Sequence, residues 1–386
     1  MASLQQIARR CSTLLFAALT VAAYAAAPGP IQVTGSGTPP KLFFACCDQG
    51  AADMQSWISN PKIIAQLKDM HAELAFSISD FSPARTQAIE QLNQDGIPLV
   101  AWLMLPADQG GYMNAQDAPE AARRFVQFQA WTQQNHLRWV GVGLDIEPNF
   151  RQLQAEAKHK LRFRWLMIQR FFNYGQVQQA RDAYTALIRQ IHAAGYPVQT
   201  YQMAFLADER AVHSTLLERL FGIVDVRGDE EVLMAYGSLD HAAGAGLVWN
   251  YGPAAQVLAV GSTLADKNAG PGNGPLNWQE LSNDLVVASH FTATVGIYSL
   301  EGCIRQGFLP QLATLDWGQT VTIPASAMKV TAQLHKRVRI AIWILSRLPY
   351  FLIAVILLAI YGIFRLMQRR RRKKRLAQIA QGGRIA

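Results

Sequence analysis

Val140-Gly141-Val142-Gly143-Leu144-Asp145-Ile146-Glu147 is the stretch on which the fold turns. From Val140 to Leu144 no side chain is polar, so the run reads as a strand buried on both faces, the habit of parallel sheets. It ends in two carboxylates two residues apart, which on a strand point the same way. Paired acids at the C-terminal end of a buried parallel strand are how an α/β barrel builds a site.

The same alternation continues on either side. Strands are expected at Lys41–Cys46, Glu73–Ile78, Ile97–Met104, Trp139–Asp145, Tyr196–Phe205, Glu231–Tyr236, Val257–Gly261 and Ala293–Tyr298. Helices are expected at Met54–Lys68, Ala84–Asp95, Ala118–Asn135, Glu209–Leu220 and Trp278–His290. Eight such units predict a closed (β/α)8 TIM barrel of the α/β class rather than an open doubly wound sheet. No glycine-rich phosphate fingerprint, P-loop, zinc-ligand spacing or Gly-x-Ser-x-Gly elbow occurs, so neither a cofactor nor a metal is expected.

The chain has 386 residues and a formal charge of +9, which on its own suggests a nucleic-acid partner. Its placement argues otherwise. Thirteen basic residues and no acid lie from Lys336 onward, and Arg9 and Arg10 sit in the first segment. The remaining body has 21 basic residues against 27 acidic ones, which excludes nucleic-acid binding by the body. Residues 1–25 read as a signal peptide cut after Ala25. Leu348–Phe364 is uncharged for 17 residues and, extended back to Ile340, makes a transmembrane helix. The basic block from Arg369 to Arg375 then puts the tail in the cytoplasm, against anionic lipid headgroups, and the body outside. The expected order is signal peptide 1–25, linker 26–40, barrel 41–320, juxtamembrane linker 321–339, span 340–364 and basic tail 365–386.

Polar residues at the expected strand ends are the candidate site. They are Asp48 with Gln49, Asp80, Asp108, Asp145 with Glu147, Gln202 with Asp208, Tyr236, and Tyr298 with Glu301. Asp48 and Asp80 serve equally well as helix caps. Asp145 and Glu147 stand apart, because two carboxylates side by side raise the proton affinity of one, as a general acid needs. Trp102, at the end of the third barrel strand, is the candidate stacking ring for a bound ligand.

The Val140–Glu147 run resembles the strand-4 signature of family 18, chitinase-like, glycoside hydrolases, Asp-Gly-x-Asp-x-Asp-x-Glu. The resemblance implies that Glu147 is the proton donor and that Asp145 orients a substrate acetamide. Met234-Ala235-Tyr236 is similar to the family's Met-x-Tyr, whose tyrosine holds the acetamide oxygen. Val140 and Gly143 replace the first two aspartates, and Gly237 stands where an aspartate often follows the tyrosine. The implied substrate is a polysaccharide or oligosaccharide. A second carboxylate facing Glu147 would come from Asp80, Asp48 or Glu301. A non-catalytic glycan-binding or polysaccharide-assembly factor on the same scaffold is the alternative.

Two further expectations concern the connections. Arg151–Arg170 carries six basic residues and one acid, and leaves the strand that bears Glu147, so it reads either as a basic lid over the site or as a solvated surface helix. Barrel closure should also bring Cys303 beside Cys46 and Cys47, with Cys47 the favoured disulfide partner and three buried thiols as the other outcome.

Overall fold

The structure, a computed structural model, describes residues 29–48, 51–106, 109–264 and 274–382. The expected signal peptide lies outside them, as do Gln49 and Asp108.

Among the described residues ten strands are formed: β1 (Ile31–Thr34), β2 (Lys41–Cys46), β3 (Glu73–Ile78), β4 (Leu99–Leu103), β5 (Gly141–Asp145), β6 (Val198–Met203), β7 (Glu230–Met234), β8 (Val257–Gly261), β9 (Thr294–Tyr298) and β10 (Thr320–Ile323). Strands β2 to β9 close into a barrel in sequence order, every pairing parallel, with β9 returning to β2. This is the TIM-type architecture that the alternation predicts.

Around the barrel lie α1 (Ala51–Ile58), α2 (Pro61–Asp69), α3 (Pro83–Gln94), α4 (Ala118–Gln134), α5 (Phe150–Ala157), α6 (Lys160–Phe171), α7 (Tyr174–Ala193), α8 (Leu206–Ala211), α9 (Leu216–Phe221), α10 (Ala245–Tyr251), α11 (Trp278–Phe291), α12 (Leu300–Arg305) and α13 (Leu309–Leu312). Two helices expected to be continuous are broken. The Met54–Lys68 run divides because Asn60 accepts the Lys62 N–H and Pro61 opens a fresh helix, a strong start signal. The Glu209–Leu220 run divides because the Glu209 carboxylate accepts the backbone N–H groups of Leu217 and Glu218, at 2.7 and 3.0 Å, and so caps the next helix.

The described parts of both stretches read as linkers carry regular structure. β1 and β10 pair antiparallel, Ile31 opposite Ile323 and Thr34 opposite Thr320, and Val33, Val321 and Ile323 are buried in the outer core. Residues 325–339 begin α14 (Ala325–Gly382), a single helix whose first turns pack on the barrel through Ala327, Met328, Thr331 and His335. The Asp208 carboxylate, itself buried, accepts hydrogen bonds from His335 Nδ1 and Arg339 Nε, both at 2.7 Å, and from the Tyr251 hydroxyl at 3.1 Å. Farther on α14 is long and apolar enough to cross a membrane: its most apolar window has a mean hydropathy of 2.3 with nothing buried.

The barrel interior is layered. At the N-terminal end of the strands Lys41 pairs with Glu73 at 2.9 Å, and Gln199 donates to both Glu73 and Glu230. Above this polar floor sit Phe43, Trp102 and Tyr201. Two strand glycines make room for the rings. A Cβ on Gly296 would lie 2.1 Å from Phe43 Cζ, and one on Gly143 would lie 2.6 Å from Tyr201 Cε2. The floor and the rings close the barrel from below, so any site must open at the C-terminal ends of the strands.

Candidate active site at the barrel mouth

Strand parity carries Asp145 and Glu147 inward while Leu144 and Ile146 go into the outer core. A parallel bridge from Met113 to Ile146 prolongs β5, with Met113 N–H donating to Asp145 O and Glu147 N–H to Met113 O. The backbone under both carboxylates is thereby fixed on each side. The same bridge brings Tyr112 to the mouth.

The space there is about 410 Å³ when counted out to its open edge, solvent included. Its polar walls are Asp145, Glu147, Tyr112, Tyr201, Tyr236 and Tyr298, and Trp102, Phe43 and Met234 supply apolar surface. Tyr236 and Tyr298 stack with centroids 5.7 Å apart and planes 20° apart. Tyr298 donates its hydroxyl to Asp48 Oδ2 at 2.7 Å, and Tyr201 donates to Gln199 Oε1 at 2.8 Å.

The electrostatics favour protons in this space. Burial pushes the Glu147 carboxyl up to about 7. Burial, and then the neighbouring Glu147 charge, push Asp145 well above the carboxylate range, opposed by the hydrogen bond from Trp102. The two titrate as a pair, so the pair retains a proton into the neutral range. Burial and the surrounding carboxylates also push the phenols of Tyr112, Tyr236 and Tyr298 up, which leaves them as hydroxyl donors at neutral pH. Trp102 Nε1 donates to Asp145 Oδ2 at 3.1 Å, while Asp145 Oδ1 has no hydrogen-bond partner among the described residues. Within the described residues no three His, Cys, Asp or Glu side chains converge as a metal site would require. The arrangement can hand a proton to a bound molecule and hold that molecule with phenols and one free carboxylate oxygen.

The other expected residues divide. Tyr236 and Tyr298 line the cavity, and Asp48 lies behind Tyr298. Trp102 does too, but inside the barrel and bonded to Asp145, rather than as a platform at the rim. Gln202 is turned the other way: its amide donates to Val224 O and Val226 O at 3.4 and 2.9 Å, outside the barrel. Its neighbour Tyr201 holds the inward position. Asp80 lies outside the cavity and binds Arg85 at 3.1 Å and the Ser82 N–H at 2.9 Å. Partial burial opposes ionisation there, yet those hydrogen bonds hold its carboxyl well below the usual range. Glu301 accepts the Cys47 N–H at 2.7 Å and is pushed up to about 7 by burial. It joins the first and last barrel strands rather than facing Glu147.

The closing strands meet as expected, but it is the Cys47 backbone N–H that reaches across the seam, to Glu301. No disulfide forms among Cys46, Cys47 and Cys303; all three are buried free thiols. Cys47 Sγ lies 3.2 Å from Cys46 Sγ, and Cys303 Sγ lies 3.8 Å from the Thr263 hydroxyl. The basic lid is absent from the cavity walls too. α6 buries Phe163 against Leu153 and Ala157 of α5 and leaves its opposite side exposed, and Arg170, also buried, donates to Leu220 O at 2.9 Å.

Tyr112 and Tyr201 were not foreseen. Strand alternation from Gln199 would have pointed to Tyr201; nothing local marks Tyr112, which arrives by way of the bridge.

Among solved structures, the chain is similar to the PgaB (BpsB) glycoside hydrolase domain from Bordetella bronchiseptica, with 11% identity over 72% of this chain and 99% of that one, at a TM-score of 0.44. It is also similar to a D-allulose 3-epimerase from Methylomonas sp., with 10% identity over 80% of this chain and 100% of that one, at a TM-score of 0.37. No family model matches the chain, and no curated protein matches it.

Proposed function

We propose that this protein is a membrane-anchored glycoside hydrolase that acts outside the cytoplasm on a polysaccharide or oligosaccharide bearing N-acetyl groups. The observation that carries the reading is the buried Asp145–Glu147 pair at the mouth of a barrel, with a carboxyl pushed up to about 7 among phenol donors. Glu147 in its acid form donates its proton to the glycosidic oxygen as the bond from that oxygen to the anomeric carbon breaks. Asp145, held by Trp102, directs its free Oδ1 to the acetamide N–H, so that the acetamide oxygen attacks the anomeric carbon. Water then opens the resulting ring, giving its proton to the Glu147 carboxylate. Tyr236 supplies a hydroxyl to the acetamide oxygen. In this reading residues 1–25 are a signal peptide, residues 340–364 span the membrane, and the basic tail remains in the cytoplasm against anionic headgroups.

One observation favours a second reading, a glycan-binding factor without turnover. The Tyr201 ring fills the space beside Gly143 where the resembled motif has its middle aspartate, so that proton partner for Asp145 is replaced by a phenol. Incubating the full chain with N-acetylated and anionic oligosaccharides, read by mass spectrometry, separates the two. A hydrolase releases products that Glu147→Gln abolishes while binding persists. A binding factor retains the ligand in both forms and releases nothing.

A further inference from the structure

α6 carries a second apolar face that the barrel does not use. Leu161, Trp165, Ile168 and Phe172 are 79%, 61%, 50% and 58% exposed. At 3.6 residues per turn they fall within about 60° of arc, opposite the side that buries Phe163 and Arg170. Lys160 and Arg164 flank the stripe on one side and Arg162 on the other, all exposed, with Lys158 just before the helix. Glu156, the nearby acid, is paired with Arg162 at 3.1 Å. An apolar stripe edged by cations is the pattern of a helix lying in the plane of a bilayer surface, its aromatic residues at headgroup depth and its cations among the phosphates.

The position of α6 in the fold agrees. Phe171, at its C-terminal end, packs in one cluster with Leu216 and Leu217 of α9 and with Ile342 of α14. Phe205 belongs to the same cluster and lies two residues past the end of β6, so α14 leaves the barrel wall on the mouth side. Trp343, with Arg347 stacked 4.6 Å over its ring, follows directly and is exposed.

We propose that the Leu161–Phe172 face of α6 docks on an anionic phospholipid bilayer and holds the barrel mouth toward the membrane. The inference rests on the reading of α14 as the span, and names where the site then works: on glycan presented at the bilayer surface rather than free in solution.

The test uses the full chain in vesicles of phosphatidylethanolamine and phosphatidylglycerol doped with a diazirine phospholipid, irradiated and then mapped by peptide mass spectrometry. Lipid adducts are expected within 340–364 and within 160–172. Trp165→Asp with Ile168→Asp, both at exposed positions that leave the barrel contacts intact, should cut the 160–172 adducts about tenfold and spare those in 340–364. Phosphatidylcholine vesicles should cut the 160–172 adducts several-fold. Adducts in 340–364 without any in 160–172 overturn the docking and keep the span. Adducts in 160–172 alone keep the docking and remove the span; adducts in neither overturn both. A lysine-reactive cross-linker that joins two copies through Lys160, in vesicles that give no lipid adducts within 160–172, overturns the bilayer as occupant.

Discussion

Trp102 donates its indole N–H to Asp145 Oδ2 across 3.1 Å inside the barrel, on adjacent strands whose register places Trp102 beside Gly143. That bond favours the charged form of Asp145 against burial and against Glu147. Trp102→Phe should therefore raise the proton affinity of Asp145 further and move the proton off Glu147. Turnover is expected to fall about tenfold to a hundredfold, and the alkaline limb of the pH–rate profile to shift. A profile that keeps its shape and position would show that the indole does not tune the pair.

The Glu147 carboxyl gives a stability prediction with a definite sign. Its folded value of about 7 lies above the ordinary value of 4.5, so between the two the folded chain binds more protons than the unfolded one. Stability is then lost as pH rises through that window. Glu147→Gln removes the loss, and should stabilise the fold at pH 8 by on the order of 2 kcal/mol while changing little at pH 4. Thermal melts of both proteins at the two pH values check it, and turnover of the parent should decline over the same window.

Gly143 and Tyr201 form a complementary pair. Gly143→Asp drives a side chain into the Tyr201 ring and should destabilise the barrel by about 2–3 kcal/mol. Tyr201→Ala opens a cavity and should cost about 3 kcal/mol alone. Combined, the two should cost at least about 1 kcal/mol less than their sum, which denaturant titration of all four chains can resolve. Strict additivity would mean that the barrel relaxes around an aspartate without moving the ring.

Asp208 ties the start of α14 to the barrel. Asp208→Ala leaves His335, Arg339 and Tyr251 without their shared acceptor and should weaken this attachment by about 2–4 kcal/mol. Limited proteolysis should then cut within residues 325–345 of the variant and spare them in the parent chain.

Cys46, Cys47 and Cys303 are buried, and burial pushes Cys303 up to about 12 and the other two upward as well. The folded chain at pH 8 should leave all three unalkylated by iodoacetamide over hours, with full reaction after denaturation. A Cys303 peptide found joined to Cys47 without reductant would contradict the structure.

The barrel was legible because most of its strands are largely apolar runs that alternate with helix-length segments, even though β6 carries Gln199, Thr200 and Gln202. Asp145 and Glu147 were legible because both are charged at the end of such a run, where burial of a carboxylate needs a reason. Gln202 was misplaced by one residue, and on a strand one residue changes the face; Tyr201 had the correct parity but reads as an ordinary core aromatic. The pairing of β1 with β10 could not be seen, because the two four-residue strands lie almost three hundred positions apart and each is flanked by turn residues. The closing seam was located by barrel closure, yet what crosses it is the hydrogen bond from the Cys47 amide to Glu301, while the Cys47 sulfur lies against Cys46.

α14 runs unbroken from the barrel wall into its apolar segment, with Asp208 fastening its early turns and Pro349 inside the helix beyond them. A domain on a disordered tether samples a hemisphere of positions and meets whatever diffuses through it. A domain whose own wall continues as the anchor has a set height and a set heading. Under the proposed function its encounters are decided by how the glycan chain is fed past it, so inserting helical turns directly after Arg339 would retune this protein as moving a fixed cutting head retunes a lathe.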